Sequence, residues 1–563
     1  MYLRTTRRRN ADGSVVQYYQ LAENAWDRDK GCAVAKVVYN FGRADALDRP
    51  ALQRLARSIL RVFAGEEALA AEPDVRVRDA WPFGVVHVVE ALWRELELDT
   101  VLGDLLRRRS TSQPFARALL ALVANRVHQP SSKLSCRQQW LPAEVFFPGW
   151  ERLELQHLYR AMDFFEAHKE ALEKAVYFRT ADLMNADVDL IFYDTTSLHF
   201  EIDEEDEGAQ RGNVLAGRRR YPALRRYGHA KNGRDDVPQI VVGLAVTRDG
   251  LPVRSWVFPG QTTDVTTVEQ VKVDLRGWKL GRCVFVGDAG MNSEENRRTL
   301  ALGGGKYILA ARMRAGDEVT QHVLTRAGRY RRVADHLEVK EVWVGEGERR
   351  RRYVVCHNAV EAERQRQHRA QVLKELAAEL ATLRKPPRGA RHSKRACALV
   401  SRPRYARYVR QTRRGALKID RAAVRAEAKL DGKWVVTSND DTLTADDLAL
   451  GYKQLMRVEQ CWRTIKSGLR MRPVFHWTPH RICAHVSLCV LALLIERIAE
   501  IRAGDTWRNI AAQLDTIKVV EYERAGARVR QTTEVRGPVA DLLRKLRVPA
   551  PPRLHHVGAV PNT

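Results

Sequence analysis

The spacing of hydrophobic residues changes several times along the chain, and each change predicts a different structure. Between residues 76 and 185, apolar residues recur every three or four positions, as in helices that bury one face. Basic residues flank them, at 107–109 and at Arg126. The region predicts either a helical DNA-binding module or a helical bundle with a solvated basic face. The periodic residues are Phe83, Val86, Val89, Leu92 and Leu96, then Phe115, Ala118, Leu119, Leu122 and Val123, with Ser112 as the start signal of the second helix.

Short β-prone runs mark the beginning of the chain. Residues 15–19 and 33–41 are rich in β-branched and aromatic residues, and Asp12-Gly13 is a turn signal. They predict a small β-rich N-terminal element over residues 1–65.

From residue 188 the apolar runs become continuous, as in strands buried within an α/β sheet. Runs 190–193, 239–247 and 251–258 predict strands, and Arg248-Asp249-Gly250 predicts a hairpin between the last two. A helix across 264–275 and strands at 283–287 and 306–311 follow. This order predicts a mixed sheet with helices packed on it, so residues 186–312 are expected to form the first part of a core.

A charged stretch then interrupts the α/β pattern. Residues 313–432 predict an insertion domain, β-rich with one charged helix at about 359–384. An apolar run that predicts a strand begins at residue 433. A long helix from Thr444 to about residue 467 and another at 478–501 are predicted to follow. We expect residues 433–503 to complete the core and 504–563 to form a basic C-terminal region. The whole chain is predicted to be a multidomain α/β protein.

The composition of the chain indicates what kind of partner it binds. The 563 residues contain 95 Lys and Arg against 69 Asp and Glu, a formal charge of +26. Such an excess predicts nucleic-acid binding, because basic side chains that meet phosphates release counterions. The longest apolar run, residues 488–495, is too short for a membrane span of about 20 residues. No secretory signal is evident, and eight scattered cysteines without a CxxC pair indicate reduced thiols in a cytosolic compartment.

Three acids carry the candidate chemistry. Asp194 and Asp288 each follow an apolar run, where a charge is costly unless a cation offsets it. Each could instead cap a helix or form an Asx-turn. Glu459 lies midway between Tyr452 and Lys466 at seven-residue spacing, which places all three on one face of a continuous helix. That face could equally be a solvated stripe.

The three acids suit phosphodiester cleavage. Two Mg²⁺ ions about 3.5–4 Å apart can activate the attacking oxygen and stabilise the leaving one. Mg²⁺ prefers hard oxygen ligands and keeps several waters, so two or three carboxylates suffice. The combination therefore predicts metal-dependent DNA cleavage.

The segments around these acids resemble the DDE transposases of bacterial insertion sequences, which carry an RNase H-like catalytic core. One subclass has the helix signature Tyr-x2-Arg-x3-Glu-x6-Lys and a β-rich insertion. Tyr452, Glu459 and Lys466 match the signature, whereas Leu455 stands at its Arg position and Arg463 is the candidate replacement. Segments 227–246, 249–268 and 480–497 also look like blocks of these proteins.

The resemblance implies a division of labour. Asp194, Asp288 and Glu459 would bind two Mg²⁺ ions, or Mn²⁺ in their place, while Tyr452 and Lys466 would hold the DNA end. The implied function is a transposase that acts as a homodimer on double-stranded DNA, cleaves the ends of its own element and joins their 3′-OH groups to target DNA. A related nuclease without strand transfer and a DNA-binding protein without catalysis are the alternatives.

Other residues have both a functional and an ordinary interpretation. Lys231 and Arg234 are candidates for DNA contacts or for a solvated basic loop, and Trp462 for base stacking or for core packing. Basic runs 349–352 and 385–391 are expected to meet phosphates. The acidic run 201–207 is expected to be a solvated loop. A His and Cys cluster at 476–489 fits no zinc spacing and is expected to pack in the core.

Overall fold

A computed structural model describes the chain except residues 11–14, 29, 49, 53, 57–58, 60–74, 110–112, 185–188, 232, 279, 281–282, 315–317, 348–349, 384–393, 414–415, 525 and 560–563. The expected turn at Asp12-Gly13, the start signal Ser112, Arg349 and the basic run 385–391 lie outside the described residues. The chain divides into two compact units. One comprises Met1–Asp79, Glu521–Arg530 and Leu554–Thr563, and the other comprises Ala80–Val520 and Gln531–Arg553.

The N-terminal residues form a small β element, as predicted. Its three strands pair in antiparallel order, each beside its neighbour in the sequence. They are β1 (Tyr2–Arg9), β2 (Val15–Asp27) and β3 (Cys32–Arg43).

Helices follow strand β4 (Arg76–Pro82), and they bury the periodic apolar residues. Phe83, Val89, Leu92 and Phe115 are all at most 3% exposed. The helices are α1 (Gly84–Glu95), α2 (Leu98–Arg108), α3 (Phe115–His128), α4 (Lys133–Ser135), α5 (Leu155–Ala167) and α6 (Lys169–Leu183), with a π-helical turn at Cys136–Glu144 and a 3₁₀ turn at Trp150–Arg152.

A mixed sheet forms the centre of the second unit. Strand β5 (Leu190–His199) lies between an antiparallel hairpin on one side and two parallel strands on the other. This is the strand arrangement of an RNase H-like core, as the resemblance implied. The elements after β5 are β6 (Gln210–Arg211), β7 (Arg220–Tyr221), β8 (Gln239–Val246), β9 (Pro252–Pro259), α7 (Asp264–Arg276), β10 (Val284–Gly287), α8 (Glu294–Ala301) and β11 (Lys306–Ala310).

Three strands of the 313–432 segment continue this sheet, and two others, at residues 409–411 and 417–419, pair with each other in a small separate sheet. The nine strands of the central sheet have the order β12 (Arg331–Ala334), β13 (Leu337–Val344), β14 (Arg351–Asn358), β17 (Lys433–Ser438), β11, β10, β5, β8 and β9. The helices of the segment enclose a separate small apolar cluster that includes Val372, Leu376 and Tyr405. The elements are β12 (Arg331–Ala334), β13 (Leu337–Val344), β14 (Arg351–Asn358), α9 (Ala359–Ala381), α10 (Lys394–Ser401), α11 (Pro403–Ala406), β15 (Val409–Gln411), β16 (Leu417–Ile419), α12 (Arg421–Ala428) and β17 (Lys433–Ser438).

The predicted single helix from Thr444 to residue 467 is wrong, because the chain breaks it in two. Helix α13 (Ala445–Lys453) begins at a capping box made by Thr444 and Asp447, and α14 (Met456–Arg463) ends in a π-helical turn at Thr464–Gly468. Between the helices, backbone bonds join residues three apart: the N–H of Leu455 donates to Tyr452 O at 2.9 Å.

Helix α15 (Pro479–Ala503) is the main core helix behind the sheet. Its most apolar 18 residues have a mean hydropathy of 2.0, enough by composition and length to cross a membrane, but 94% of that stretch is buried inside the protein. It packs against α3, α5 and β9. The chain then forms α16 (Trp507–Leu514), β18 (Lys518–Arg524), β19 (Ala527–Thr532), α17 (Gly537–Leu546) and β20 (Leu554–Ala559), and a four-stranded sheet has the order β20-β19-β18-β4.

Candidate active site

Two of the three candidate acids lie side by side on neighbouring strands. Strands β5 and β10 are parallel, with Tyr193 opposite Gly287, so Asp194 and Asp288 are the next pair along. Neighbouring strands are about 4.8 Å apart. Asp288 follows β10 and caps a short 3₁₀ turn, its Oδ1 accepting a 2.6 Å bond from the N–H of Ala289. Asp288 therefore caps this turn and also lies beside Asp194, so the two interpretations of this residue are compatible.

Asp194 does not end its strand, as the sequence suggested, but lies in its middle. Strand β5 continues to His199 because the polar residues after Asp194 pair with β8 along their whole length. Alternate residues of a strand point to opposite faces. Leu190, Phe192 and Leu198 enter the core cluster that contains α14, whereas Tyr193 enters the cluster beneath α7. Asp194 therefore shares its face with α14, the helix of Glu459.

A lysine and a fourth carboxylate join the site from the other face. The Lys231 ammonium lies 3.0 Å from Asp264 Oδ2 and 3.8 Å from Asp194 Oδ1. It also donates 2.8 Å bonds to the carbonyl and hydroxyl oxygens of Thr195, and that hydroxyl donates to Asp264. Lys231, predicted either as a DNA contact or as part of a solvated basic loop, is held among the acids.

The surroundings of Asp194 disfavour its charge. Burial raises the pKa of Asp194 to about 6, and the carboxylates of Asp288 and Asp264 add to the rise, whereas Lys231 opposes it. A carboxylate in such a setting gains from any cation that can reach it. Lys231 supplies one such cation from within the chain.

Tyr452 connects the paired aspartates to Glu459. Its hydroxyl lies 3.5 Å from Asp288 Oδ1. Burial, followed by the charges of Asp288, Glu459 and Asp194, raises the pKa of Tyr452, so its hydroxyl stays protonated and donates. Glu459 is exposed on α14. Leu455 is only 8% exposed and belongs to the core, which explains why an apolar residue occupies the Arg position of the signature.

Lys466 reaches the same edge of β5. Its ammonium donates to the hydroxyl of Thr196, two residues beyond Asp194. Burial and the nearby charge of Arg472 lower the pKa of Lys466, while Asp194 opposes the change. Arg463, on the last turn of α14, is exposed to solvent.

Several other predicted contacts have different roles in the structure. Trp462 is 5% exposed and lies in the core cluster, where its ring packs against apolar neighbours. Arg234 pairs with Asp236 at 2.8 Å and faces Glu201 at 3.5 Å. In the run 349–352, Arg352 is buried and bonded to Glu341 and to the carbonyl of Asp440, so it supports the sheet rather than meeting DNA.

The acidic run and the His and Cys cluster also have structural roles. Asp206, expected in a solvated loop, is 3% exposed and bonds Arg225 at 2.8 Å. His480, Cys483, His485 and Cys489 are buried in α15, and His485 contacts the ammonium of Lys133 at 2.9 Å. Core packing is therefore the correct interpretation of this cluster.

The donor set fits a hard divalent cation in its chemistry, with two carboxylates on neighbouring strands and a third acid on α14. Asp194 and Asp288 are adjacent carboxylates, and carboxylate oxygens are the ligands that Mg²⁺ and Mn²⁺ prefer. Among the described residues, Glu459 makes no hydrogen bond or ion pair, and no three His, Cys, Asp or Glu side chains converge closely enough to hold an ion. Asp194 and Asp288 would therefore supply two neighbouring carboxylates to a metal ion, and Glu459 could supply a third that no other described side chain occupies.

Sequence reasoning missed Asp264 and Thr196. A cavity of about 240 Å³ lies beside the acids, lined by both residues together with Ser197, His229, Lys231 and Arg312. Asp264 was interpreted only as the first residue of a helix. Its position at the start of α7, directly after the hairpin that pairs with β5, was the available signal, because that connection returns to the sheet edge of Asp194.

Comparison with known families decides the class. Residues 213–495 match the family model described as the transposase DDE domain, and residues 3–72 match the N-terminal domain of the IS1634 family transposases. The chain belongs to the DDE transposases. Asp288 and Glu459 lie within the DDE match, and Asp194 lies before its start. The family predicted from the resemblance is confirmed.

The DDE transposase also has matches among solved structures. One is the cryo-EM structure of the piggyBac transposase synaptic complex with hairpin DNA, at 9% sequence identity and a TM-score of 0.33, covering 77% of this chain and 76% of that chain. Comparison with curated proteins gives no match.

Proposed function

We propose that this transposase binds the ends of its own DNA element, cleaves them and transfers the freed 3′-OH ends into target DNA. The observation that carries the proposal is the pairing of β5 with β10, which sets Asp194 beside Asp288, with Tyr452 between Asp288 and the helix of Glu459. Cleavage and joining are both in-line displacements at phosphorus, so one acidic site serves both steps.

Asp194, Asp288 and Glu459 would hold the metal, proposed as two Mg²⁺ ions or Mn²⁺ in their place. Bound divalent ions would polarise the scissile phosphate and stabilise the leaving oxygen. The exposed, uncommitted carboxylate of Glu459 supports this assignment, because it can turn toward the aspartates at little cost. Membership of the DDE family supports it too.

The chain's own cations and hydroxyls would position the DNA. Lys466 holds a positive charge at Thr196, close to Asp194, where it can contact a phosphate as a point charge. Tyr452 has a protonated hydroxyl that can donate to a phosphate oxygen. Arg463 is exposed one turn beyond Glu459 and is proposed as the replacement for the Arg missing at Leu455. Lys231 and Arg234 already have acidic partners and are less available.

The proposed partner is double-stranded DNA, bound by a homodimer because two ends are joined in one event. The charge of +26 and the match to a transposase N-terminal domain support DNA binding.

The test is a plasmid assay with purified protein, Mg²⁺ and a supercoiled plasmid carrying the DNA that flanks the gene. Excision and integration products are expected. In Asp194→Asn, Asp288→Asn and Glu459→Gln, cleavage should fall by at least about 10³-fold while DNA binding stays near normal, since each change removes one metal ligand. Glu295→Gln, an exposed acid on α8, is the matched control and should cut normally.

Two outcomes would contradict the proposal. Cutting without joined products would make the protein a nuclease. Near-normal cutting by any one of the three acid variants would remove that acid from the site.

A further inference from the structure

Two aromatic side chains project into solvent just beyond the π-helical turn of Lys466. In the segment from Leu469 to Thr478, Val474 is buried, Phe475 is 66% exposed, His476 is half-buried and Trp477 is 66% exposed. Alternating exposure of this kind is expected of extended backbone, in which residues two apart lie on one side, about 6.6 Å apart. Two large aromatic side chains exposed close together in the chain form an apolar patch of the kind that marks interaction sites.

The segment that carries them is firmly held by the core. The Arg126 guanidinium donates to the carbonyl oxygens of Leu469 at 3.3 Å and Arg470 at 3.1 Å. A ring nitrogen of His485 lies 2.9 Å from the Met471 carbonyl. His476 packs edge-on against Tyr159 and beside His485. The two exposed rings are therefore presented by a fixed backbone.

The Trp477 ring lies near the residue that follows the end of β5, the strand of Asp194. The Lys466 ammonium contacts β5 at Thr196. The Arg225 guanidinium lies 5.0 Å from the centre of the Trp477 ring and 5.8 Å from the centre of the Phe200 ring. Phe200 follows β5 and is six residues from Asp194, which is about 20 Å of extended chain. A strand of DNA that leaves the acids along β5 would reach Trp477 within a few nucleotides.

The charges beside the pair favour nucleic acid over protein. Arg470 and Arg472 shortly precede it in the sequence, and neither has an acidic partner among the described residues. The charge of Arg225 is already used by Asp206, so its contribution is to fix the Trp477 ring. Aromatic faces together with unpaired arginines are the combination that binds single-stranded nucleic acid, by stacking on bases and attracting phosphates.

We propose that Phe475 and Trp477 form a stacking platform for unpaired bases at the DNA end, a few nucleotides from the phosphate at the acids. The proposal rests on the proposed function, because it assumes that DNA occupies the acidic site. It adds that the bound end is partly single-stranded, with one or two bases stacked on these rings.

The test compares binding of two DNAs in metal-free buffer, so that nothing is cut. One is a blunt duplex, and the other is the same duplex with a single-stranded extension that contains 2-aminopurine. We expect Trp477→Ala to weaken binding of the extended duplex by about 5- to 100-fold and to leave blunt-duplex binding unchanged. Phe475→Ala should have a similar or smaller effect. In the wild type the 2-aminopurine fluorescence should be quenched on binding, and in Trp477→Ala it should not be.

Controls separate stacking from misfolding and from other partners. Trp477→Phe keeps an aromatic face and should retain most of the binding and quenching, and Phe178→Ala removes an exposed aromatic on α6 and should change nothing. Equal binding of the extended duplex by the wild type and the double variant Phe475→Ala, Trp477→Ala would overturn the proposal. So would a loss of self-association, measured by sedimentation, with DNA binding intact. If the wild type binds neither DNA, the proposed function fails as well.

Discussion

Lys231 places a positive charge between two carboxylates at the edge of the acidic site. Its ammonium contacts Asp264 at 3.0 Å and Asp194 at 3.8 Å, and it also bonds Thr195. Without this charge, Asp194, Asp264 and Asp288 would repel one another. The lysine therefore stabilises the site when no metal is bound, and it would compete with a metal at the proposed site.

Replacing Lys231 with Met should reveal this competition. In metal-free buffer we expect the melting temperature to fall by about 1–3 °C, because the pair is partly exposed and of modest strength. Added Mn²⁺ should raise the melting temperature of Lys231→Met more than that of the wild type. Thermal unfolding with and without Mn²⁺ measures both effects.

The control for this experiment is Lys453→Met, which removes an exposed lysine on α13. It should respond to Mn²⁺ as the wild type does. An equal Mn²⁺ response in Lys231→Met and the wild type would show that the lysine and the metal do not share a site.

Glu166 is a buried acid outside the site, and it gives the fold a pH dependence. Burial raises the pKa of Glu166 to about 7, while the charges of Lys169 and Arg219 oppose the rise. Because the folded protein prefers the protonated form, ionisation of Glu166 costs stability as the pH rises from about 4.5 to 7. Glu166→Gln removes that cost.

We therefore expect Glu166→Gln to raise the free energy of unfolding by about 1–3 kcal/mol at pH 8 and to change it little at pH 5. Denaturant unfolding at the two pH values measures the difference. The exposed Glu295→Gln should be neutral at both. A gain of the same size at pH 5 would mean that packing, not ionisation, is responsible.

At the scale of elements, the helices around Glu459 show what periodicity can predict. The sequence correctly predicted helix at Tyr452, Glu459 and Lys466, but it treated them as one straight helix. At the break, Leu455 is buried in the core, which is a tertiary contact that spacing alone does not contain. The side chain at position 455 consequently cannot be assigned from the signature.

Leu455→Arg tests this placement. We expect the variant to be destabilised by about 2–4 kcal/mol, because a charge is buried without a partner, and to gain no affinity for DNA. Leu455→Met keeps the volume and should cost less than about 1.5 kcal/mol. Thermal unfolding and DNA binding report the two quantities. A stable Leu455→Arg protein with tighter DNA binding would place the residue on the DNA side.

Strand β5 shows a second limit of the sequence prediction, because its polar second half was not recognised as part of the strand. Its first four residues are apolar and were predicted, but Thr195, Thr196 and Ser197 looked like the end of a strand. They are buried because each finds a partner: Asp264, Lys466 and the backbone N–H of Lys231, respectively. Polar residues satisfied inside a site are indistinguishable from loop residues in sequence, so the second half of β5 was not recognised as strand.

At the scale of the whole molecule, one sheet joins the acidic site to the 313–432 segment. The helices of that segment, within residues 359–431, form an excursion: the chain leaves the sheet, folds separately and returns. His357 on β14 lies opposite Lys433 on β17, and the Asn358 N–H donates to Gly432 O at 2.8 Å. The chain thus leaves and re-enters the sheet at one point. The excursion, residues 359–431, has its own apolar cluster.

Replacing residues 360–430 with a short turn should therefore leave a folded core. We expect cooperative thermal unfolding, and weaker DNA binding with a smaller dependence on salt, because many basic residues are removed. Calorimetry and binding at several salt concentrations measure these outcomes. An unfolded product would show that the excursion is part of the core, and an unchanged salt slope would exclude it from phosphate contacts.

Lys231, which lies between Asp194 and Asp264, would also couple the binding of a divalent ion to the binding of a DNA phosphate. For a site that already holds a tethered cation, binding of a free divalent ion is an exchange. Whatever draws the ammonium of Lys231 aside, such as a DNA phosphate, raises the affinity for the ion, and by reciprocity the ion raises the affinity for that phosphate. The protein would then take up metal most readily once its DNA is in place, and unbound copies would remain chemically idle.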